Sequence, residues 1–278
     1  MRPGDHFFDD ARYDDETGRA PIPTGHSEVV FGNIFRAAGV RREDVIIANK
    51  LWWEFWPRQN ALAEVNESLE RMGLDYVDLI YAGPPAQGMS VTELVAEVGA
   101  LISAGAARAW GVLNWSAGLI REAAAATTAA GVPAPCAVQL PYSLVRRSPV
   151  EDGAMTLALA QAGASVVASF CLEGGILSGK YRYGPAPGRA ASVLEQPRSA
   201  RAVAAAPALT AFADRLEAAP AAVALAFALA SEVVASVLFG ATSAGQIKAN
   251  CAAPGLLRRL TQEELDELRL IGTSAAAS

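Results

Sequence analysis

The chain has 278 residues, 52% hydrophobic and 19% charged, which is enough to bury a substantial core as one large barrel or two smaller domains. The net charge of −6 and the scattered arginines argue against nucleic acid as the natural partner, and two histidines and three widely separated cysteines offer no metal-ligand spacing. No apolar run is long enough to span a bilayer and the first residues do not form a signal peptide. The sequence therefore predicts a soluble, cytoplasmic protein that binds no membrane.

Short apolar runs alternate with Ala/Leu/Glu-rich runs along almost the whole chain. The runs typical of strands lie at 6–9, 45–50, 76–82, 108–114, 136–142, 165–171 and 235–240. The runs typical of helices lie at 27–35, 58–72, 91–103, 116–130, 151–162, 200–218, 221–231 and 243–250, and a last helix begins near 261. A loop rich in Gly, Pro, Ser and Arg covers 174–198, and no stretch resembles a linker between domains.

This alternation predicts repeated βαβ units and a parallel sheet. We count about seven units, one short of the eight that a closed (β/α)8 barrel needs. The structural rival, a doubly wound sheet, would carry a Gly-x-Gly-x-x-Gly turn after an early strand, and the sequence has none. We therefore expect an α/β fold of the (β/α)8 TIM-barrel type, with residues 1–278 forming a single domain.

The strand at 45–50 ends in a lysine, Lys50, and a cluster of large aromatic residues follows it. An unpaired ammonium is costly to bury inside a sheet, so the lysine is better explained at the carboxyl end of the strand, where ligands bind in parallel α/β proteins. The alternative is a lysine that leaves the strand and reaches water.

Eight blocks, in this order, give the chain a resemblance to a known family: FDDA (8–11), SEVVFGN (27–33), IANK (47–50), SLERMGLDYVDL (68–79), GVLNWS (111–116), QLPY (139–142), GGILSGKY (174–181) and GATSAGQ (240–246). The chain resembles the aldo-keto reductases over essentially all of 6–270, and most closely the branch that includes potassium-channel beta subunits. The resemblance implies a (β/α)8 barrel that holds NADP(H) across its C-terminal face without a Rossmann motif.

The family transfers a hydride to a carbonyl carbon while a tyrosine, assisted by a lysine–aspartate pair, protonates the oxygen. Carried over by position, the resemblance implies that the aspartate is Asp9 and the lysine is Lys50. The family tyrosine falls on Asp14, and Tyr13, one residue earlier, is either its replacement or an ordinary surface-loop tyrosine. The family histidine or asparagine falls on Gly83, which has no side chain to orient a carbonyl, so substrate choice or rate should differ.

The resemblance also implies the residues that bind the cofactor. They are Asn114 and Gln139 for the nicotinamide carboxamide, Tyr142 beside the ring, Leu172 where the family has Ser-Pro-Leu, Lys180 and Arg189 for the pyrophosphate, and Gly240, Thr242, Gln246 and Asn250 for the adenosine end. The two amides could instead cap strand ends, and either cation could be a solvated charge. Cys171 has no histidine nearby in the sequence, and we interpret it as a packing residue.

The expected walls of an aromatic substrate pocket that includes Gly83 are Trp52, Trp53, Phe55 and Trp56, although core packing is an alternative for any one of the four. The family begins with a strand and a helix ahead of Phe8 and Asp9, and the chain shows neither. The first strand–helix unit therefore lies upstream, or the barrel is open, or a partner chain completes it. A homo-oligomer is a further possibility.

The first functional hypothesis is an NADPH-dependent oxidoreductase that reduces an aldehyde or ketone. The second is an NADP(H)-binding redox-sensing or interaction protein with little or no turnover, which Gly83 and the shifted tyrosine favour. A third is a truncated copy without activity. No metal is expected.

Overall fold

The structure, a computed structural model, describes residues 6–16, 18–181, 192 and 194–274. Arg189, one of the two expected pyrophosphate ligands, lies outside the described residues. The chain forms two compact units, which are described separately: one contains the residues up to Gln139 together with Leu157–Ser165, the other Leu140–Thr156 and the residues from Val166 onward. The single domain expected for the chain stays a prediction.

Seven strands alternate with helices along the chain. The strands are β1 (His6–Asp9), β2 (Val45–Leu51), β3 (Val77–Ala82), β4 (Ala107–Leu113), β5 (Ala137–Pro141), β6 (Ser165–Ser169) and β7 (Val234–Val237). The helices are α1 (His26–Ala38), α2 (Ala61–Met72), α3 (Val91–Ser103), α4 (Ala117–Ala130), α5 (Ser148–Glu151), α6 (Gly153–Ala162), α7 (Ala200–Arg215), α8 (Pro220–Leu229), α9 (Ala244–Asn250), α10 (Ala253–Leu257) and α11 (Gln262–Ser274). Every predicted strand is present. The helix predicted at 151–162 is divided into α5 and α6, and α10 was not predicted.

In the first unit, β1 to β5 pair in parallel, each with its successor in the chain. The register places Lys50 beside Tyr81, Tyr81 beside Gly111, and Gly111 beside Ala137. Paired residues in a parallel sheet point to the same face, so these four side-chain positions lie in one row.

Strand β2 is buried along almost its whole length, because its run of Val, Ile and Ala lies between β1 and β3 and beneath helices. Helix α2 follows it. Asn60 caps that helix by accepting a hydrogen bond from the Ala63 N–H at 2.9 Å, and Gly73 ends it in the left-handed conformation. These elements hold Lys50 at the carboxyl end of a rigid strand.

In the second unit, β6 and β7 pair in parallel. Helix α8 is buried from Ala221 to Ala228, since its alanines and larger apolar residues surround the helix on every side. Gly272 of α11 lies against the backbone of Leu144, where a Cβ would come within 2.0 Å of the Leu144 carbonyl oxygen.

Seven consecutive strand–helix units are those of a (β/α)8 barrel from which one unit is absent, and the expected fold class is confirmed. Within the part of the chain that the structure describes, no helix is both long and apolar enough to cross a membrane.

Candidate active site

A buried ion pair lies at the carboxyl ends of β1 and β2. The Lys50 Nζ is 2.7 Å from the Asp9 Oδ2 and also donates to the Asp10 carbonyl oxygen at 3.2 Å. The two side chains are 4% and 13% exposed, respectively. Because Asp9 pairs in register with Ala48, two residues before Lys50, both side chains point to the same face of the sheet. The structure thus brings together the two residues that the sequence placed at strand ends.

A second polar network lies behind this pair, on the opposite face of β2. The Asn49 Nδ2 donates to Glu28 Oε1 at 2.9 Å, and the other carboxylate oxygen of Glu28 accepts from Arg71 Nε at 2.5 Å. Asn49 also accepts from the backbone N–H of Lys50 at 2.6 Å. Glu28 is fully buried. The network ties α1 and α2 to the strand that carries the lysine.

Asp10 interacts electrostatically with charged residues of both networks. The pKa of its carboxyl is raised to about 6, chiefly by burial and less by the negative charges of Glu28 and Asp9, while the Ala11 N–H and Lys50 oppose the rise. Its Oδ2 is buried without a hydrogen-bond partner. The folded protein therefore holds a proton on Asp10 more tightly than the unfolded chain does.

This raised pKa gives a pH-dependent prediction. A carboxyl whose pKa is raised by folding stabilises the fold below its ordinary value of 3.8, and that contribution is lost as pH rises through about 6. Asp10→Asn, which mimics the neutral acid, should stabilise the protein at pH 7.5 by about 1 to 2 kcal/mol after allowance for partial solvent screening, and by almost nothing near pH 3.5. Urea denaturation at both pH values measures the difference. Asp14→Asn in the exposed loop is the control, and equal effects at both pH values would contradict the prediction.

Tyr13 lies in a loop that is held at several points. Its carbonyl oxygen accepts from the Gly25 N–H at 2.9 Å, and the preceding Arg12 carbonyl accepts from Trp52 Nε1 at 3.1 Å. The Arg12 guanidinium also pairs with Glu54. The Tyr13 ring centroid is 6.3 Å from that of Trp52, and the residue is 52% exposed. Among the hydrogen bonds of the described residues, Lys50 Nζ donates to Asp9 and Asp10 but not to Tyr13.

The two tryptophans after β2 have different environments. Trp53 is buried and donates its indole N–H to the Gly83 carbonyl oxygen at 3.3 Å, while Trp52 is half-buried beside Tyr13. The carboxylate of the buried Glu64 accepts hydrogen bonds from the backbone N–H groups of Trp52 and Trp53, at 2.7 and 3.1 Å respectively. Burial raises the pKa of Glu64, although these two N–H groups oppose the rise. Glu64 thus fixes the turn that carries the aromatic residues.

Gly83 lies close to β2 through its backbone, because its N–H donates to the Leu51 carbonyl oxygen at 2.9 Å. A Cβ at this position would be 3.2 Å from that same oxygen. A side chain here would require a small backbone adjustment.

Asn114 directly follows β4, and Gln139 lies within the neighbouring strand β5. The Asn114 N–H donates to the Gln139 carbonyl oxygen at 3.0 Å, and Asn114 is exposed with a positive φ of 58°. Gln139 is 3% exposed, and its Nε2 has no hydrogen-bond partner. The unpaired Nε2 is a donor that the carbonyl oxygen of a nicotinamide carboxamide would satisfy. Gln139 and Asn114 therefore fit the nicotinamide cofactor that the resemblance implies.

The other expected cofactor residues that the structure describes lie in the second unit. Tyr142 is buried, donates its hydroxyl to Glu151 Oε1 at 2.7 Å and stacks on Phe227 with ring centroids 6.3 Å apart. Burial, followed by the hydrogen bond to Glu151, raises the Tyr142 pKa. Leu172 is half-buried, Lys180, Gly240, Thr242 and Gln246 are exposed, and Asn250 is buried.

The second unit also contains a contact between Thr242 and Gln246 and a buried cysteine, Cys171. Gln246 Oε1 accepts from the Thr242 N–H at 2.8 Å, so these two expected adenosine ligands contact each other. Cys171 is fully buried, and burial raises the pKa of its thiol to about 12. A thiol of this kind is not a nucleophile at neutral pH, in agreement with the packing role expected for it.

Glu28, Asn49 and Glu64 are site-supporting residues that we did not single out from the sequence. A signal existed for Glu64, because it falls on the buried stripe of α2 with Ala61, Val65 and Ser68, where a carboxylate requires a partner. The partners themselves, two backbone N–H groups, carry no sequence signal.

The fold and the site together define a (β/α)8-type barrel with a buried lysine–carboxylate pair at the carboxyl ends of its strands. The model of the aldo/keto reductase family matches residues 4–272, and the chain belongs to this family. The family supports an oxidoreductase that uses a nicotinamide cofactor and a small-molecule substrate.

The similar proteins include both probable channel subunits and an aldo-keto reductase. The chain is 28% identical over 285 residues to a probable voltage-gated potassium channel subunit beta of Arabidopsis thaliana, and 28% identical over 282 residues to a protein of the same description from Oryza sativa subsp. japonica. Each alignment covers 96% of this chain and 83% of the relative. A crystal structure of a thermostable aldo-keto reductase in complex with the inhibitor epalrestat matches with a TM-score of 0.69 and 24% identity, over 89% of this chain and 78% of that one. The last similarity supports the fold alone.

Proposed function

We propose that the protein is a cytoplasmic, single-domain NADPH-dependent oxidoreductase that reduces an aldehyde or ketone. The observation that carries the proposal is the buried pair of Lys50 and Asp9 at 2.7 Å. A buried ammonium held by one carboxylate is positioned to stabilise negative charge that develops on a neighbouring oxygen.

The roles of the side chains follow from their positions. Asp9 holds the Lys50 ammonium at the end of β2, and Lys50 stabilises the anionic form of the acid that protonates the substrate oxygen. We assign that acid to Tyr13, whose loop is fixed beside Trp52. Trp52, Trp53 and Gly83 form the substrate-binding region.

The cofactor, when bound, supplies the hydride that reduces the carbonyl carbon. Gln139 and Asn114 would hold its carboxamide, and the unpaired Gln139 Nε2 supports this assignment. We assign the remaining parts of the cofactor to Tyr142, Leu172, Lys180, Arg189, Gly240, Thr242, Gln246 and Asn250. The preference for NADPH over NADH is supported by the family resemblance.

A single-turnover experiment tests the proposal. The protein is loaded with NADPH, binding is followed by quenching of tryptophan fluorescence, and a panel of aldehydes and ketones is added while the nicotinamide absorbance is recorded. We expect binding followed by oxidation, with weaker binding of NADH in a parallel series. Absence of NADPH binding would contradict the proposal.

A second candidate function is a protein that binds NADP(H) and acts as a redox sensor or interaction partner with little turnover. The absence of a side chain at Gly83 and the exposure of Tyr13 favour it, since both weaken the catalytic set. The relatives named as probable channel beta subunits also favour it. In the same experiment, binding without oxidation across the panel would support this candidate over the first.

A further inference from the structure

A buried tyrosine lies in the same row as the catalytic lysine, and neither the family motifs nor the proposed mechanism uses it. Tyr81 of β3 pairs in register with Lys50 of β2 and points to the same face of the sheet. Its exposure is 0%, and its hydroxyl oxygen has no hydrogen-bond partner. On its other side, the row continues with Gly111 and Ala137, two small residues that leave room for the ring.

A matching unpaired atom lies on Asp9. One of its carboxylate oxygens binds Lys50, while the other, Oδ1, is buried without a partner. A tyrosine hydroxyl is a donor and a carboxylate accepts only, so the two unpaired groups are chemically complementary. A buried polar group without a hydrogen-bond partner is destabilising. The presence of two such groups, the Tyr81 hydroxyl and the Asp9 Oδ1, therefore requires an explanation.

The electrostatics of Tyr81 show that it is a donor rather than an acid. Burial raises the pKa of its hydroxyl, and the negative charge of Asp9 is the next contribution. The hydroxyl is therefore protonated at neutral pH. With no exposed surface, it also has no path to a substrate oxygen.

Simple packing does not account for Tyr81 either. A phenylalanine would fill almost the same volume and would not bury a hydroxyl. The hydroxyl is useful in the fold only if it donates a hydrogen bond to a polar group. Asp9 is the negative charge that acts on it most strongly.

We propose that Tyr81 is a positioning residue, whose hydroxyl donates to the free oxygen of Asp9 through one bridging water and holds that carboxylate against Lys50. Buried waters commonly join such unpaired polar groups. With both oxygens bound, Asp9 has a single orientation, and the Lys50 ammonium is kept at one place. The inference rests on the proposed reductase function for its catalytic consequence, although the contact itself does not depend on turnover.

The test combines kinetics with a double-mutant cycle on stability. Tyr81→Phe should lower kcat for carbonyl reduction by about tenfold while the Kd for NADPH is unchanged, because the ring is retained and only the constraint on Asp9 is lost. In the Asp9→Asn background, Tyr81→Phe should have little further effect on kcat. Tyr76→Phe is the matched control, since Tyr76 lies between Arg42 and Arg108 and away from the ion pair.

The stability cycle uses the four combinations of Tyr81→Phe and Asp9→Asn, unfolded in urea. We expect the effects on the unfolding equilibrium constant to be non-additive by a factor on the order of ten. Additive effects would overturn the proposed contact, even if the wild-type protein proves to have no reductase activity. If the stability effects of the two substitutions are coupled but Tyr81→Phe leaves kcat unchanged, the positioning role is overturned.

Discussion

Lys50→Met should lower kcat for carbonyl reduction by a factor of about 10³ or more while NADPH binding is retained. The methionine has a similar length and no charge, so the anionic form of the acid loses its stabilising partner. The assigned cofactor residues are not altered by the substitution. Stopped-flow absorbance measures the reduction step, and quenching of tryptophan fluorescence measures binding.

The substitution also leaves Asp9 as a buried carboxylate without its cation. Because Asp9 is only 13% exposed, the free energy of unfolding should fall by about 3 kcal/mol. Loss of activity in the single variant could then reflect misfolding. The double variant Asp9→Asn/Lys50→Met removes the unpaired charge, and we expect it to recover most of the stability and none of the activity. Turnover in either variant at the wild-type rate would contradict the proposed mechanism.

The ion pair was predictable from the sequence because both partners end short apolar strands. In a parallel sheet the carboxyl ends of neighbouring strands lie at one edge, so Asp9 and Lys50 had to be close once β1 and β2 were paired. Asn114 and Gln139 were paired by the family resemblance instead, and in the structure the Asn114 N–H donates to the Gln139 carbonyl oxygen. The alternation of strand and helix also fixed the fold class, since few topologies satisfy it.

The position of Tyr13 could not be predicted, because a loop has no periodicity to orient its side chains. Its placement depends on the Gly25 N–H and on the indole of Trp52, contacts between residues that are distant in sequence or lie in irregular structure. Glu28 and Asn49 were missed for a related reason. Each is a polar residue in an apolar segment, and only the packing of α1, α2 and β2 reveals that they are mutual partners.

Glu28→Ala should produce the largest loss of stability among the variants considered. Glu28 is fully buried and accepts hydrogen bonds from Arg71 and Asn49, so its removal takes the carboxylate acceptor from both donors. Breaking a buried, hydrogen-bonded ion pair costs about 3 to 5 kcal/mol. We expect a loss of that size in the unit formed by β1 to β5 and their helices.

The tryptophans make this unit accessible to measurement. All five, Trp52, Trp53, Trp56, Trp110 and Trp115, belong to it, so their fluorescence during urea denaturation reports its unfolding separately from the second unit. Arg71 also supplies a matched control, because its second acidic neighbour, Glu67, is 3.9 Å away and 56% exposed. Glu67→Ala should cost less than about 0.5 kcal/mol, as is usual for exposed pairs.

The consequence of Glu28→Ala should extend to the candidate active site. Asn49 connects Glu28 to the backbone N–H of Lys50, so loss of the carboxylate frees the amide that helps to fix the lysine's strand. We therefore expect kcat to fall in Glu28→Ala under conditions where the protein is still folded, and to stay at the wild-type value in Glu67→Ala. Equal stability and equal kcat in the two variants would show that the buried network does not support the site. A difference in stability alone would show that it supports the fold but not the lysine.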